Sequence, residues 1–496
     1  GVTRSAGCGR MPRCATCRRQ RPRNVAAASG STACIGSRWR SVRRIAAAGP
    51  IIGPIVAGLS YGWLPALLWI VFGSIFIGAV HDFAILAASR QHRSRSIAAV
   101  VKEHMSPKVY QFLSLLIWVS LSYLIVVFTQ MTAKTFTDET YGSTVATSSL
   151  YFLLLSLALG WLLNRGPFPL WITTALALPF LPMLLELSRA YPLPFSEWMP
   201  FNPVLGWTLI ILGYCFVASV LPIEVLLKPR GYLGGHLLFF TLVIGLFGLF
   251  IGDDAFTYPA FIGFWSPDKE PLFPILFVMI ACGACSGFHG LVCGGISSKQ
   301  LEGDEHAQAI GYGGMLIEGF VAVIALMTLM ITTYQEGAKD PIEIYVTGLA
   351  RLAQHLGVPL ETAIQFGFLA MATFVYDSLD VAARIGSGLF QEWAGWEEWT
   401  GRKGWLGRIG ATAATLALPL LLLTTRLDGN YLDLWPAFGI SNQLLAAFSL
   451  LGVSAWLMKN GRKPYWTLLP MAWMFLVALS SAVFWMLPWM RERLVG

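Results

Sequence analysis

The sequence predicts an all-α polytopic membrane protein, and three observations lead to this prediction. Hydrophobic residues make up 55% of the 496 residues and charged residues only 12%, whereas soluble domains carry roughly 25% charged residues. The apolar residues lie in long runs without the polar face of a surface helix. Most of these runs approach or exceed the ~20 residues that a helix needs to cross the hydrocarbon layer.

We predict about 13 transmembrane helices, which form one transmembrane domain over residues 45–490. In chain order, the predicted spans are 45–60, 63–88, 109–131, 146–163, 170–187, 207–227, 235–252, 272–298, 313–334, 361–376, 407–425, 435–458 and 466–488. Residues 1–44 differ from the rest, since they are rich in Arg, Cys, Ala and Ser and contain no apolar run. A secretory signal needs an apolar core of about 7–15 residues, so we expect a disordered or aberrant leader instead.

Basic residues in the connections predict the orientation, because cytoplasmic loops of membrane proteins are enriched in Lys and Arg. The loop 90–108 holds five of them, which predicts the cytoplasm on that side. Alternating from this loop, the predicted cytoplasmic connections hold 15 basic residues, Arg230 among them, and the opposite connections hold six. The three longest connections, 189–206, 253–271 and 335–360, are expected to be interfacial or short lid segments.

The net charge of +8 does not indicate a nucleic-acid partner. Eleven of the 35 basic residues lie in the first 44 positions and most others in short loops, where they orient helices. Cys282 and Cys285 form a CxxC pair, as do Cys14 and Cys17, but a zinc site usually needs a second pair or histidines close by. We therefore predict no metal ligands and no cofactor, and we expect the membrane cysteines to be packing residues.

Three of the predicted spans contain clusters of glycine, proline and polar residues. These clusters are AAAGPIIGP at 46–54, CGACSGFHG at 282–290 and WPAFGISNQ at 435–443. A helix unwinds in the hydrocarbon layer only where its freed backbone groups face protein, a ligand or water. Broken helices at this depth are typical of transporter cores, where helix ends meet the substrate. We therefore predict a transporter whose central site is formed by the three breaks.

The candidate substrate-binding residues lie in these breaks. They are Gly49, Pro50, Gly53, Pro54, Ser286, Gly287, His289, Ser441, Asn442 and Gln443. Asn442 and Gln443 supply neutral donors and acceptors of the kind that hold peptide groups. His289 follows two glycines and a serine, so it either lines the pathway or is a satisfied core histidine.

Ionisable residues inside the spans are the candidates for proton coupling, because burying such a group costs ~2.5–3.5 kcal/mol on insertion scales. His81 and Asp82 are adjacent, so they either accept a coupling proton or form a structural polar pair. Glu318 is either a proton-binding group or the partner of a nearby cation such as Lys299 or Arg384.

A further set of charged residues lies between 377 and 384. Asp380 and Arg384 are four residues apart and share one helical face. With Asp377 they form a switchable ion pair, bind a charged end of the substrate, or belong to a helix at the membrane surface. Glu224 and Lys228 have the same spacing, for which an i,i+4 pair at a helix end is the simpler interpretation.

The sequence does not predict an enzyme, because it contains no nucleophile elbow, phosphate loop, HExxH or dinucleotide-binding fingerprint. One alternative is an intramembrane metalloenzyme using His81, Asp82 and His289, which would require these ligands to converge within ~2–2.5 Å of a metal. The other is a nutrient sensor, for which the sequence carries no output domain.

Several strings of the chain, in order, resemble the carbon starvation protein A family. They are AAAGPIIGPIVAG, GAVHDF, IACGACSGFHG, GYGGMLIEG, SLDVAARIG and PAFGISNQLLAA, and the resemblance covers residues 45–487. It implies a fold related to the amino acid–polyamine–cation (LeuT-like) transporters. It also implies a permease of the bacterial inner membrane that takes up peptides during nutrient limitation, while some relatives import pyruvate with protons.

The residues and the resemblance together predict a secondary active transporter that imports short peptides with proton coupling. A symporter of pyruvate or another small carboxylate with protons is the alternative of the same class. The expected partners are the peptide or small-molecule substrate, the coupling proton and the lipid bilayer.

Overall fold

The computed structural model describes residues 49–165, 170–301, 303–332, 340–396, 399–425 and 430–495. The predicted leader, residues 1–44, lies outside the described residues. The described residues form helices and their connections, together with one isolated β-bridge between Trp265 and Pro271. The chain is therefore all-α where the structure describes it, as predicted.

The helices of eight or more residues are numbered here in chain order. They are α1 (Gly49–Tyr61), α2 (Trp63–Gln91), α3 (Ile97–His104), α4 (Pro107–Phe136), α5 (Gly142–Arg165), α6 (Leu170–Ala177), α7 (Phe180–Ala190), α8 (Pro203–Val220), α9 (Leu227–Ile251), α10 (Leu272–Met279), α11 (Gly287–Gly295), α12 (Ala307–Met330), α13 (Pro341–Gln354), α14 (Leu360–Trp393), α15 (Gly401–Thr425), α16 (Tyr431–Lys459) and α17 (Tyr465–Val495). The four-residue helices Phe195–Trp198 and Ala281–Ala284 lie between them.

The positions of the predicted spans are confirmed. Within the described residues, 11 helices are long and apolar enough to cross a membrane. The two remaining predicted spans correspond to the short apolar helix α1 and to the interrupted segment from α10 to α11. Between their first and last turns, helices of this length bond their backbone polar groups inside their own ladders, which is what the hydrocarbon layer requires.

Only one of the three predicted breaks is found. In the stretch 282–290, the helix Ala281–Ala284 ends and α11 begins at Gly287. Between them Cys285 (φ −158°, ψ 115°) and Ser286 (φ −114°, ψ 122°) are extended. Two residues therefore leave the helical ladder inside a segment that is otherwise apolar and buried.

The other two predicted breaks are wrong, because the stretches 49–54 and 435–443 are helical; residues 46–48 lie outside the described part of the chain. Proline explains the error. Pro54 in α1 and Pro436 in α16 each remove a single hydrogen bond, to the carbonyl four residues before, and the rest of the ladder continues. Both prolines lie within about two turns of the first described residue of their helix, where few intrahelical bonds are at stake.

Glycines allow neighbouring helices to touch the backbone of the interrupted segment. A Cβ atom added at Gly53 of α1 or at Gly439 of α16 would lie under 3.0 Å from the carbonyl oxygens of Met279 and Val278, respectively. A Cβ at Gly78 of α2 would meet the carbonyl of Ala284 in the same way. Three helices thus pack directly against the main chain on the N-terminal side of the break.

The connection 335–360 differs from the prediction of an interfacial or lid segment. Its residues 341–354 form α13, whose buried face includes Ile344, Tyr345 and Leu349. The connection 253–271 does run over helix ends: the indole of Trp63 donates to the carbonyl of Tyr258, and the amide of Thr257 to Met330. These contacts cover the ends of α2 and α12 on that side of the molecule.

The connections predicted to be cytoplasmic lie together on one side. Arg90 in the last turn of α2 forms an ion pair of 2.7 Å with Asp304, and Ser94 donates a hydrogen bond of 3.0 Å to the carbonyl of Ser298. On the opposite side, His355 lies 2.8 Å from Asp254. The alternation of the spans deduced from loop charge is therefore consistent with the packing.

We predict that Gly439→Ala destabilises the protein, because the new methyl group would overlap the carbonyl oxygen of Val278. Overpacking of this kind lowers the free energy of unfolding by about 1–3 kcal/mol, which should appear as a lower melting temperature in detergent. Gly213→Ala is the matched control, since nothing lies within 4 Å of a Cβ atom there. A Gly439→Ala protein that melts with the wild type would contradict the close contact.

Candidate functional site

The interruption in the α10–α11 segment is held by side chains of α16. The carboxamide oxygen of Asn442 accepts a hydrogen bond of 2.9 Å from the amide of Phe288 and one of 3.3 Å from the hydroxyl of Ser286. On the other side of the break, the indole of Trp435 donates to the carbonyl of Met279 at 3.1 Å, and Gln443 donates to the carbonyl of Phe277. Side chains of α16 thus bond three backbone groups that flank the break.

Two of the predicted substrate-binding side chains therefore bind the protein itself. Asn442 and Gln443 do hold peptide groups, as their chemistry predicts, but the peptide groups belong to the broken helix. Ser441 points elsewhere and donates to the carbonyl of Phe438 in its own helix. Gly49 and Gly53 of α1 pack on Cys282 and Met279.

Four ionisable side chains meet next to the break. Nδ1 of His81 lies 2.8 Å from Oδ1 of Asp82, and Nδ1 of His289 lies 3.4 Å from Oδ2 of the same carboxylate. Nε2 of His289 lies 2.8 Å from Oε2 of Glu318. The four side chains are at most 1% exposed. The structure thus joins four residues that the sequence indicated separately into one buried chain.

Local irregularities of the helices place these side chains. His289 lies in the first turn of α11, which starts directly after the break. In α2, a π-helical turn over Ser74–Gly78 precedes His81, and the hydroxyl of Tyr312 donates to the carbonyl of Ile75 within it. Such turns are frequent at functional sites. Gly290 lets α11 approach α2, since a Cβ atom there would lie 2.9 Å from Cε1 of His81.

The contacts define which nitrogen atoms carry protons. His81 donates from Nδ1 to Asp82, so its neutral form has a bare Nε2, and that atom is buried without a hydrogen-bond partner. His289 faces a carboxylate with both nitrogens, an arrangement that suits the doubly protonated imidazolium. Its angles to them are poor for hydrogen bonds, so these two contacts are ion pairs by distance.

A second buried cluster lies on α8, α9 and α14. Arg230 forms an ion pair of 3.0 Å with Asp380 and lies 3.8 Å from Asp377. The hydroxyl of Tyr214 donates to Asp380 at 2.7 Å, and the guanidinium lies over the ring of Tyr376 at 4.8 Å. The assignment of Arg230 to a loop was wrong, because α9 begins at Leu227 and carries Arg230 into the interior.

The predicted pair of Asp380 and Arg384 is also replaced. Arg384 donates to the carbonyls of Ala218 and Leu221 at the end of α8, where the last carbonyl groups of a helix lack partners. Asp380 takes Arg230 instead. Asp380 and Arg384 do lie on one face of α14, as their spacing predicts, but each binds a group on a neighbouring helix instead of the other.

The predicted pair of Glu224 and Lys228 is confirmed at the surface. Nζ of Lys228 lies 2.8 Å from Oε1 of Glu224, and both side chains are about half exposed. The hydrogen bond from Lys228 lowers the pKa of Glu224 below its usual value. This pair is too exposed to contribute much to stability.

A cavity of about 1310 Å³ opens on the side predicted to face the cytoplasm. Its wall includes Leu291 and Gly295 of α11, Ile117 of α4 and Ile385 of α14. Basic side chains outnumber acidic ones in the lining. The basic residues are Arg93, Arg95, Lys102, Lys228, Lys299, Arg384 and Arg408, and the acidic ones are Glu103, Glu224 and Glu392.

None of the ten predicted substrate-binding residues lines this cavity. They lie deeper: Leu291 at the cavity wall is two residues from His289 on the same helix. Arg384 at the wall is one helical turn from Asp380. Both buried charge clusters therefore begin directly behind the inner wall of the cavity.

The architecture is that of the LeuT-like transporters. MhsT in complex with L-phenylalanine superposes with a TM-score of 0.57 at 10% identity, covering 90% of this chain and 97% of MhsT. A manganese transporter of Eremococcus coleocola gives a TM-score of 0.53 at 14% identity, over 92% and 88% of the two chains. These likenesses establish the fold class and nothing about the substrate.

The chain belongs to the carbon starvation protein CstA family, whose sequence model matches residues 40–339 and 330–481. The peptide transporter CstA of Escherichia coli K12 is 28% identical over 88% of this chain and 72% of its own length. The CstA of Campylobacter jejuni is 27% identical over 90% and 72%. The protein is thus a multi-pass transporter of the bacterial inner membrane.

We predict that Asn442→Ala weakens the interrupted segment, because the amide of Phe288 would be left buried without a partner. An orphaned donor of this kind costs about 1–3 kcal/mol, which should lower the melting temperature in detergent. Ser441→Ala is the neighbouring control, since the hydroxyl of Ser441 bonds only a carbonyl of its own helix. Equal melting temperatures for the two variants would show that Asn442 does not hold the break.

Proposed function

We propose that the protein is a secondary active transporter that imports short peptides and is driven by protons. The observation that carries this proposal is the buried chain His81–Asp82–His289–Glu318 beside the interruption between α10 and α11. The membership of the chain in the CstA family agrees with a transport function, since relatives named peptide transporters match most of the chain.

The charges of this chain provide the coupling. With His289 protonated, Asp82 and Glu318 ionised and His81 neutral, the four buried groups carry a net charge of −1. An uncompensated charge in a buried site is strongly unfavourable, so the group takes up one further proton when it is closed from water. The bare Nε2 of His81 is the position that accepts it. Release then requires a conformation in which water or a substrate charge reaches the group.

The cavity favours a peptide as the substrate. Its volume of about 1310 Å³ exceeds the roughly 300–1,000 Å³ of common small-molecule pockets. Basic side chains at its wall attract a terminal carboxylate. Behind Arg384, the carboxylates of Asp377 and Asp380 lie next to Arg230, and carboxylates attract a terminal ammonium group.

Import of pyruvate with protons is the second candidate. The pyruvate/proton symporter BtsT of Escherichia coli K12 is 27% identical over 87% of this chain and 72% of its own length. The basic lining of the cavity would serve a small carboxylate equally well. Counterflow into proteoliposomes with labelled dialanine and labelled pyruvate separates the two: exchange of pyruvate alone would reject the peptide proposal.

The alternatives of other classes have less support. In a metalloenzyme, His81, Asp82 and His289 would surround one point, but each imidazole faces a carboxylate along a chain. We therefore propose that the protein is not an enzyme and that these residues handle protons.

We predict that Glu318→Gln uncouples transport from the proton gradient, because a neutral amide removes one of the two negative charges that face His289. Loss of one partner of a buried ion pair changes its energetics by several kcal/mol, so gradient-driven uptake should fall at least about tenfold. Counterflow without a gradient should persist, because it needs no net proton movement.

The control is Glu343→Gln, which neutralises an exposed glutamate on the opposite side, in the first turn of α13. It should keep wild-type uptake with and without an imposed pH gradient. Gradient-driven accumulation by Glu318→Gln at the wild-type level would refute the coupling role of the buried chain. Size-exclusion profiles of both variants exclude loss of folding as the cause.

A further inference from the structure

Three potential metal ligands meet where α2 and α3 end, at the mouth of the cavity. His92 follows the last residue of α2, and Glu103 and His104 are the last two residues of α3. The Nε2 atoms of the two histidines are 2.7 Å apart. One ligand atom from each of the three side chains lies within 4.8 Å of the others.

The orientation of His92 is fixed by its second nitrogen. Nδ1 of His92 lies 2.6 Å from the carbonyl oxygen of Ala88, to which it donates a hydrogen bond. The proton of the neutral ring is therefore on Nδ1, and the lone pair of Nε2 points at His104. Metal-bound histidines usually have this arrangement, with the distal N–H held by a backbone carbonyl. The ring of Trp456 packs edge-on against His92 at 5.7 Å.

The backbone after His92 is strained and firmly held. Arg93 and Ser94 have φ values of 58° and 57°, in the left-handed region that such residues rarely adopt. The turn is held by Ser89, whose hydroxyl donates to the carbonyl of Arg95 at 2.6 Å and whose carbonyl accepts from the amide of Ser94 at 2.8 Å. Strain maintained in this way is found at ligand clamps and active sites, and here it brings His92 back towards α3.

We propose that His92, Glu103 and His104 bind a divalent transition metal of the zinc class. Two neutral imidazoles and a carboxylate are a ligand set that zinc prefers, with a fourth position for water. Zinc–nitrogen bonds are about 2.0–2.1 Å long, so the two Nε2 atoms need to separate by only a fraction of an ångström. On binding, the Nε2 proton of His104 moves to Nδ1 of the same ring, so that both Nε2 lone pairs face the metal and each neutral imidazole keeps one proton.

The metal would connect two parts of the cavity mouth. Glu103 and Lys102 of α3 line the cavity, whereas His92 belongs to the end of α2, the helix that carries His81 and Asp82. A bound ion therefore ties the wall of the mouth to the helix of the buried charge chain. The site does not depend on the proposed substrate, because the two imidazoles that would hold the metal do not line the cavity and only Glu103 does.

The test is zinc binding to the purified full-length protein in detergent, produced without a histidine tag. Isothermal titration and metal analysis after desalting should give one zinc per wild-type chain, and Zn²⁺ but not Mg²⁺ should raise the melting temperature. His92→Ala and His104→Ala should each weaken binding at least about tenfold, as expected when one of three ligands is lost.

His306→Ala is the matched control. His306 also faces a glutamate, Glu305, at 3.7 Å on the same side of the protein, but it belongs to no group of three such ligands among the described residues. This variant should bind zinc like the wild type. Glu103→Gln, at an exposed position, tests the site if either histidine variant fails to fold. A wild type that binds no zinc, or ligand variants that bind it unchanged, would overturn the proposal.

Discussion

Unsatisfied main-chain groups are the strictest constraint on a helix in the hydrocarbon layer, and Cys285 and Ser286 leave the ladder at that depth. Side chains of one neighbouring helix, α16, satisfy this constraint. Asn442, Trp435 and Gln443 of α16 bind backbone groups on both sides of the break. Where no side chain reaches, glycines of α1 and α2 bring helices against the same main chain. The continuous helix α16 thus stabilises the interrupted segment from α10 to α11.

The position of His289 follows from this arrangement. Because α11 restarts at Gly287, the imidazole enters the interior in its first turn and meets Asp82 and Glu318 from two other helices. A continuous helix from α10 to α11 would direct this side chain differently. The break therefore places a titratable ring between two carboxylates.

The sequence was sufficient to predict the spans and the buried ionisable residues, because both depend on the hydropathy of residues that are neighbours in the chain. It indicated His81, Asp82, His289 and Glu318 one at a time, but their convergence depends on how α2, α11 and α12 pack. The two wrong breaks share a cause: proline and glycine near the start of a helix resemble an interruption, yet they remove few hydrogen bonds.

Two further features were beyond the local patterns of the sequence. Arg230 lies in the polar string LKPRGY, which resembles a loop, and its burial is explained by its partners Asp380, Asp377 and Tyr376 on α14. His92 and His104 are separated by a turn and a helix, so their spacing matches no metal-binding motif. Both cases depend on partners that are distant in sequence, and a single chain without its packing does not reveal them.

The bonds of α16 also determine which parts of the protein can slide. Hydrogen bonds on both flanks of the break tie α10, α11 and α16 into one rigid body. A displacement of α16 relative to α10 and α11 would leave several buried polar atoms without their hydrogen-bond partners. Relative movement along the cavity, between α11 and the segments of α3 and α14 that line it, would break none of these hydrogen bonds.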